Sequence, residues 1–267
     1  MPGEFNELYV SARAALLDTA EALAPHLDSL VLVGAQAIYL HTGAADIAVA
    51  EFTTDADFSI EPALLSDEPL LAGLLQSRGF TQREHPGGWR TPANVYVDIM
   101  VPEALAGPGR RGADLGPHGR QVARRALGLE GARVDCELHT IRSLDPADDR
   151  SVTMNVAGPG ALIVAKAHKI WERTTGDDRV RDKDALDVYR LLQAIPTDDL
   201  AARLTHLRDS PTAGDATSAA IEHLDALFGT PQGTGIELAV RATRQIIDPD
   251  ELTLTLTTLT NDLMRAL

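Results

Sequence analysis

At 267 residues the chain is long enough for one large domain or two modest ones, and no apolar run in it is long enough to cross a bilayer. Its 24 lysines and arginines against 39 aspartates and glutamates leave a formal net charge of −15, so nucleic acid and anionic membranes repel it on average. A polyanionic partner must therefore be met through a local basic patch, a metal, or both.

The single cysteine, Cys136, cannot form an internal disulfide, and residues 1–5 carry neither a basic region nor a signal-like apolar core. The expectation is a cytoplasmic protein with no membrane partner. Leu8, Ala12, Ala15, Leu16, Ala20 and Leu23 recur at helical spacing and predict a helix over 6–24, closed by Pro25. The run Leu-Val-Leu-Val over 30–33 reads as a buried strand that enters Gly34, where glycine allows a sharp turn into a helix. A helix start behind a strand offers backbone N–H groups and a positive dipole end to an anion.

The next strand, 53–60, carries two carboxylates with one residue between them. Alternation puts Asp55, Asp57 and Ser59 on one face and Ala56, Phe58 and Ile60 on the other. The leucines of 62–79 predict one helix, open to a break at Pro69. Residues 80–85 read as a strand, 86–88 as a turn, and Trp89 begins the return.

Over 94–101, Val95, Val97, Ile99 and Val101 fill one strand face, while Tyr96, Asp98 and Met100 share the other. A carboxylate in the middle of so apolar a strand goes against β-propensity, and local rules are broken most often at functional sites. The Gly- and Pro-rich stretch 103–119 reads as a mobile loop. From Arg110 the chain turns locally basic, with Arg111, Arg120, Arg124, Arg125 and Arg133 against Asp114 and Glu130. That strip reads either as a docking surface for an RNA backbone or as a solvated loop offsetting the acidic remainder.

Strands are expected over 134–141 and 152–156. Gly158-Pro159-Gly160 marks the best domain boundary, dividing the chain into 1–157 and 158–267. Beyond it, helices are expected near 160–175, 181–194, 197–209, 214–228, 235–247 and 250–267.

Asp55, Asp57 and Asp98 could hold magnesium, or manganese in its place, since hard cations take oxygen ligands and relieve carboxylate repulsion. The Gly34 turn could hold a triphosphate beside them. Asp-x-Asp alone is common at solvated strand ends; the preceding strand-Gly-helix and the later Asp98 are what lift the pattern above that. Lys166, Lys169 and Arg173 share one helical face, either as snorkelling cations or aimed at an anion. Asp184 and Asp187 lie one helical turn apart, where a salt-bridged face is the ordinary reading. No Cys/His spacing suggests zinc.

The ordered set resembles the nucleotidyltransferases of the DNA polymerase β superfamily. More narrowly it resembles the AbiEii family, toxins of type IV toxin–antitoxin systems that include the MenT proteins. The resemblance rests on Val33-Gly34-Ala35-Gln36-Ala37 with Thr54-Asp55-Ala56-Asp57, on Val97-Asp98-Ile99-Met100-Val101-Pro102, on Lys166 with Arg173, and on the Lys183-Asp184-x-x-Asp187 pattern.

It implies an α+β fold, a nucleotidyltransferase-type mixed sheet with flanking helices followed by a helical-bundle domain. It implies transfer of a nucleoside monophosphate from an NTP to an acceptor hydroxyl. For MenT-like members the acceptor is a tRNA 3′ end, and a cognate antitoxin protein is the implied partner. In this reading Asp55, Asp57 and Asp98 are the metal ligands, and Gly34, Ala35, Thr54, Lys166, Lys169 and Arg173 bind nucleotide. Lys166 is first choice for the phosphates and Lys169 the reserve. Asp184, or else Asp187, orients the lysine or serves as base. The family commonly has a second glycine or a serine where this chain has Ala35, which cannot offer a hydroxyl to phosphate. The alternatives left open are a nucleotidyltransferase acting on a small molecule or a protein, and a non-catalytic nucleotide-binding homologue.

Overall fold

A computed structural model describes residues 6–43, 48–172, 180–243 and 246–267. The chain divides into two units. The first draws on Met1–Ala37, Glu51–Ala126 and Cys136–Ala157, the second on Ile38–Ala50, Leu127–Asp135 and Gly158–Leu267.

The first unit is built on one mixed sheet. Its strands are β1 (Leu30–Val33), β2 (Asp55–Ile60), β3 (Thr81–Gln82), β4 (Gly88–Arg90), β5 (Tyr96–Pro102), β6 (Arg124–Ala126), β7 (Cys136–Arg142) and β8 (Ser151–Ala157). The spatial order is β3-β4-β5-β2-β1-β8-β7, with β6 also on β5. β1 is antiparallel to β2 and parallel to β8, so it lies inside the sheet, and all four of its residues are buried. An unbroken aliphatic run is what a strand enclosed on both faces requires.

Helix α1 (Glu7–Ala22), begun by an Asn6 side chain that accepts from the Leu8 N–H, packs on β2, β5 and β8. It covers the apolar face, where Ala56, Phe58, Ile60, Val97, Ile99 and Val101 are wholly buried. Helix α2 (Gly34–Thr42) leaves the end of β1 directly.

The stretch 62–79 departs from one helix. A single 3-10 turn at Pro62–Leu64 precedes helix α3 (Leu71–Ser77), which starts beyond Pro69 because proline has no N–H to give a preceding turn. The strand expected over 80–85 shortens to the two residues of β3. The 103–119 stretch is a built segment: Ala106 and Ala113 are fully buried, and the Ala113 and Asp114 N–H groups donate to the Ala123 and Ala106 carbonyls.

The second unit is helical. Its long elements are α4 (Pro159–Glu172), α5 (Val180–Ala194), α6 (Thr197–Arg208), α7 (Gly214–Phe228), α8 (Thr234–Thr243) and α9 (Pro249–Ala266). Asp248 caps α9 by accepting from the Asp250 and Glu251 N–H groups. Asp135 accepts from the Ala161 N–H at the start of α4, at 2.9 Å, and from Arg203 of α6. The architecture is thus of the expected α+β class: a mixed sheet with flanking helices, then a helical region.

Candidate active site

β2 and β5 run parallel, with Asp55 beside Tyr96 and Asp57 beside Asp98. Pleats of neighbouring strands are in step, so register partners project to the same face. Asp55, Asp57, Tyr96 and Asp98 therefore share one face, and the burial pattern follows: these four are half-buried or exposed, while Ala56, Phe58, Val97 and Ile99 are enclosed. Adjacent strands lie about 4.8 Å apart, which sets the Asp57 and Asp98 carboxylates side by side as like charges.

The turn into α2 lies against this pair. Val33 is the register partner of Asp57, and the next residue, Gly34, has a φ of 73°. A Cβ added there would land on Asp57 Oδ2. Glycine is thus required twice, for its backbone conformation and for the close approach. Ala35 is buried and adds no polar side chain, so any anion at this turn meets backbone N–H groups.

Asp55 is held from two directions. The buried Thr53 hydroxyl donates to its Oδ1 at 2.7 Å, while Gln36 Nε2 donates to its carbonyl at 3.0 Å. Gln36 is itself fixed: its Nε2 also donates to the Ala12 carbonyl, and its Oε1 accepts from Arg13 Nε at 2.9 Å. Buried Arg13 completes its own bonding on the Tyr9 hydroxyl and the Arg142 carbonyl. Thr54, expected at the nucleotide, is exposed, and the hydroxyl touching the carboxylate comes from its neighbour. On the far side Arg124 Nη2 reaches Asp98 Oδ2 at 3.4 Å, a long charge-assisted contact.

As a metal site the donor chemistry suits a hard cation. Among the described residues, however, no three His, Cys, Asp or Glu side chains gather closely enough to hold an ion by themselves. The expectation of three converging aspartates therefore reduces to a neighbouring pair with Asp55 on the same face. Magnesium is commonly held by one or two carboxylates together with substrate phosphates, and this arrangement fits that mode rather than an all-protein cage.

In the second unit, Lys166 Nζ donates to Asp184 and to Asp187, each at 2.6 Å, and its side chain is only 6% exposed. Burial opposes its charge, but the two carboxylates outweigh that and hold its pKa above the ordinary lysine value. Asp184 is correspondingly lowered to about 2: burial would raise it, and Lys166 and Lys169 overcome that. A carboxylate so stabilised is a weak base. Two of the three Lys166 N–H donors are thus taken by aspartates, and burial closes off the side chain. Lys169, with its side chain 41% exposed, lies 3.1 Å from Asp184. Arg173 lies outside the described residues.

No family model matches the chain, and no curated protein matches it. Among solved structures the chain is similar to the crystal structure of an antigenic nucleotidyltransferase-like protein from Paracoccidioides brasiliensis. The identity is 17% and the TM-score 0.39, over 78% of this chain and 92% of that one. So slight a likeness carries no weight for the site, whose description rests on the register and hydrogen bonds above.

Two supporting residues had no role assigned from the sequence: Gln36, inside the 33–37 stretch, and Arg13. The available signal was Arg13 on the apolar stripe of α1, a charge at a position that the helical repeat reserves for the core.

Proposed function

We propose that the chain is a metal-dependent nucleotidyltransferase, with Asp57 and Asp98 as its central pair. The observation that supports this most is their register adjacency with the Gly34 turn set against Asp57. The acceptor hydroxyl attacks the α-phosphorus of an NTP, the bond to the bridging oxygen breaks, and pyrophosphate leaves. Asp98, partly exposed at the end of the acidic row, takes up the acceptor proton. The Gly34 turn offers backbone N–H groups to the phosphate tail. Asp55 supports the pair from the same face. A bound magnesium or manganese ion would neutralise charge on the triphosphate. On helix α4, Lys169 is partly exposed, while Lys166 is bonded to Asp184 and Asp187.

The acceptor in this proposal is a tRNA 3′ end, and the biological role that of a type IV toxin with a cognate antitoxin, acting in the cytoplasm. The second reading is a cationic small-molecule acceptor such as an aminoglycoside, favoured by the net charge of −15. A single assay separates them. The protein is incubated with magnesium and each labelled NTP, with total tRNA, with aminoglycosides, or alone. Label on tRNA that disappears with EDTA and with Asp57→Asn supports the proposal. Label on the drug favours the second reading. Nucleotide binding with no transfer to any acceptor overturns both and leaves a non-catalytic nucleotide binder, as Ala35 allows.

A further inference from the structure

Four guanidiniums, Arg110, Arg111, Arg124 and Arg125, line one cavity of about 180 Å³ together with His85 and Pro86. In a chain of net charge −15, that concentration of positive charge stands against the average. Two carboxylates offset it in part: Asp98 contacts Arg124, and Glu103 lies 3.6 Å from Arg125. Arg110 and Arg111 are exposed, and among the described residues neither has an ion-pair partner.

The walls are held by backbone bonds. Gly87, at φ 77°, donates to the Gln121 carbonyl and accepts from the Ile99 N–H, which fixes the turn carrying His85 and Pro86. A Cβ at Gly87 would strike the Ile99 carbonyl and the Arg124 nitrogen. Gly88 is the register partner of Asp98, and its missing side chain leaves the space that the His85 ring fills. The Arg125 N–H donates to the Arg111 carbonyl at 2.9 Å, and Trp89 Nε1 donates to the Val122 carbonyl at 3.0 Å. The arginines are thus presented by two segments, β6 paired to β5 and the 110–111 stretch bonded to β6, rather than by a loose loop.

The order across the sheet gives the cavity a direction. The Gly34 turn at the end of β1 comes first, then Asp57 on β2, then Asp98 on β5, then Arg124 on β6. The turn suited to a donor's phosphates and the arginines thus flank the carboxylate pair from opposite sides. We propose that this arginine-lined cavity binds a backbone phosphate of a polynucleotide acceptor, holding the strand beside Asp98. The proposal rests on the nucleotidyltransferase reading for its purpose, but its test does not need transfer to occur.

The experiment compares the full chain with Arg110→Ala/Arg111→Ala and with Arg110→Glu/Arg111→Glu. Both side chains are exposed, and the Arg111 carbonyl that serves Arg125 is unaffected by the change. Binding of a short single-stranded oligoribonucleotide is followed by fluorescence anisotropy over a range of salt, and binding of a non-hydrolysable NTP with magnesium is measured alongside. The alanine pair should weaken oligonucleotide binding roughly tenfold and lower the salt slope by about 0.7 per lost phosphate contact. The glutamate pair should weaken it further, while NTP affinity stays within error. Oligonucleotide binding that is absent from the start, or unchanged in both variants, overturns the proposal. An equal fall in NTP affinity overturns it as well, by assigning the cavity to the donor's tail. Loss of transfer with intact oligonucleotide binding would count against the catalytic reading alone.

Discussion

The Asp57 carboxylate occupies the space that a side chain on Gly34 would need. The same backbone position carries a positive φ, so any L-residue there is strained as well as crowded.

Gly34→Ala is expected to destabilise the protein by more than about 1 kcal/mol and to push the Asp57 carboxylate out of line with Asp98. Urea denaturation reads the first effect. The second appears as lost affinity for an NTP with magnesium, larger than that caused by Ala35→Gly. Equal nucleotide affinity in Gly34→Ala and the parent chain would separate the turn from nucleotide binding.

Gln36 connects α1 to the start of β2 by accepting from Arg13 and donating to the Asp55 carbonyl. Gln36→Leu keeps the volume but leaves a buried guanidinium N–H and a carbonyl without partners. A loss on the order of 1–3 kcal/mol follows. Because Gln36 acts on Asp55 through the backbone, kcat should fall while the KM for nucleotide changes little. Gln36→Glu retains the bond from Arg13 and should recover part of the stability.

The Lys166–Asp184–Asp187 cluster makes a pH prediction. Asp184 has a folded pKa of about 2, below its ordinary value near 3.9, so its contribution is present above that ordinary value and is lost as pH falls towards 2. Lys166 is shifted upward, so its share is complete below about pH 10.4 and is lost only as pH rises through its higher folded value. Stability from this cluster should be flat between about pH 5 and 9 and decline below about 4. Lys166→Met should cost about 3–5 kcal/mol, since it leaves Asp187 buried without its cation, whereas Asp184→Asn should cost less because Lys166 keeps Asp187. Replacing Lys166, Asp184 and Asp187 together with apolar residues should restore most of that loss. Calorimetry across pH distinguishes this from a cluster held only by its surroundings.

Much of the frame was legible because it is local. The Leu30–Val33 run and the alternation around Asp55 and Asp57 each state their structure within a few residues. Among the described residues, the helices beyond Gly158 follow from start and stop signals in the same way. What was not legible depends on partners distant in the chain. Nothing near Lys166 announces that two carboxylates from α5 enclose it, and only the family resemblance pointed to Asp184, or else Asp187, as orienting the lysine; a glutamine in a short helix looks like any surface glutamine until α1 is laid beside it. The break in the 62–79 stretch is local in cause and Pro69 signalled it, but the leucines before it gave no sign that only a 3-10 turn forms there. The 103–119 segment looked loose by composition, yet bonds to residues 123–125 shape it.

Strand β5 meets β2 along one edge and β4 and β6 along the other, and its third residue, Asp98, is the partner of Asp57 on one side and of Gly88 on the other. A codon gained or lost within it would invert the strand, turning Asp98 inward and Val97 and Ile99 outward. Both flanks would be lost in the same event, so length variation should be purged from this strand and tolerated instead in outlying turns such as 143–149. For anyone recombining or permuting this chain, β5 is the segment to carry over whole.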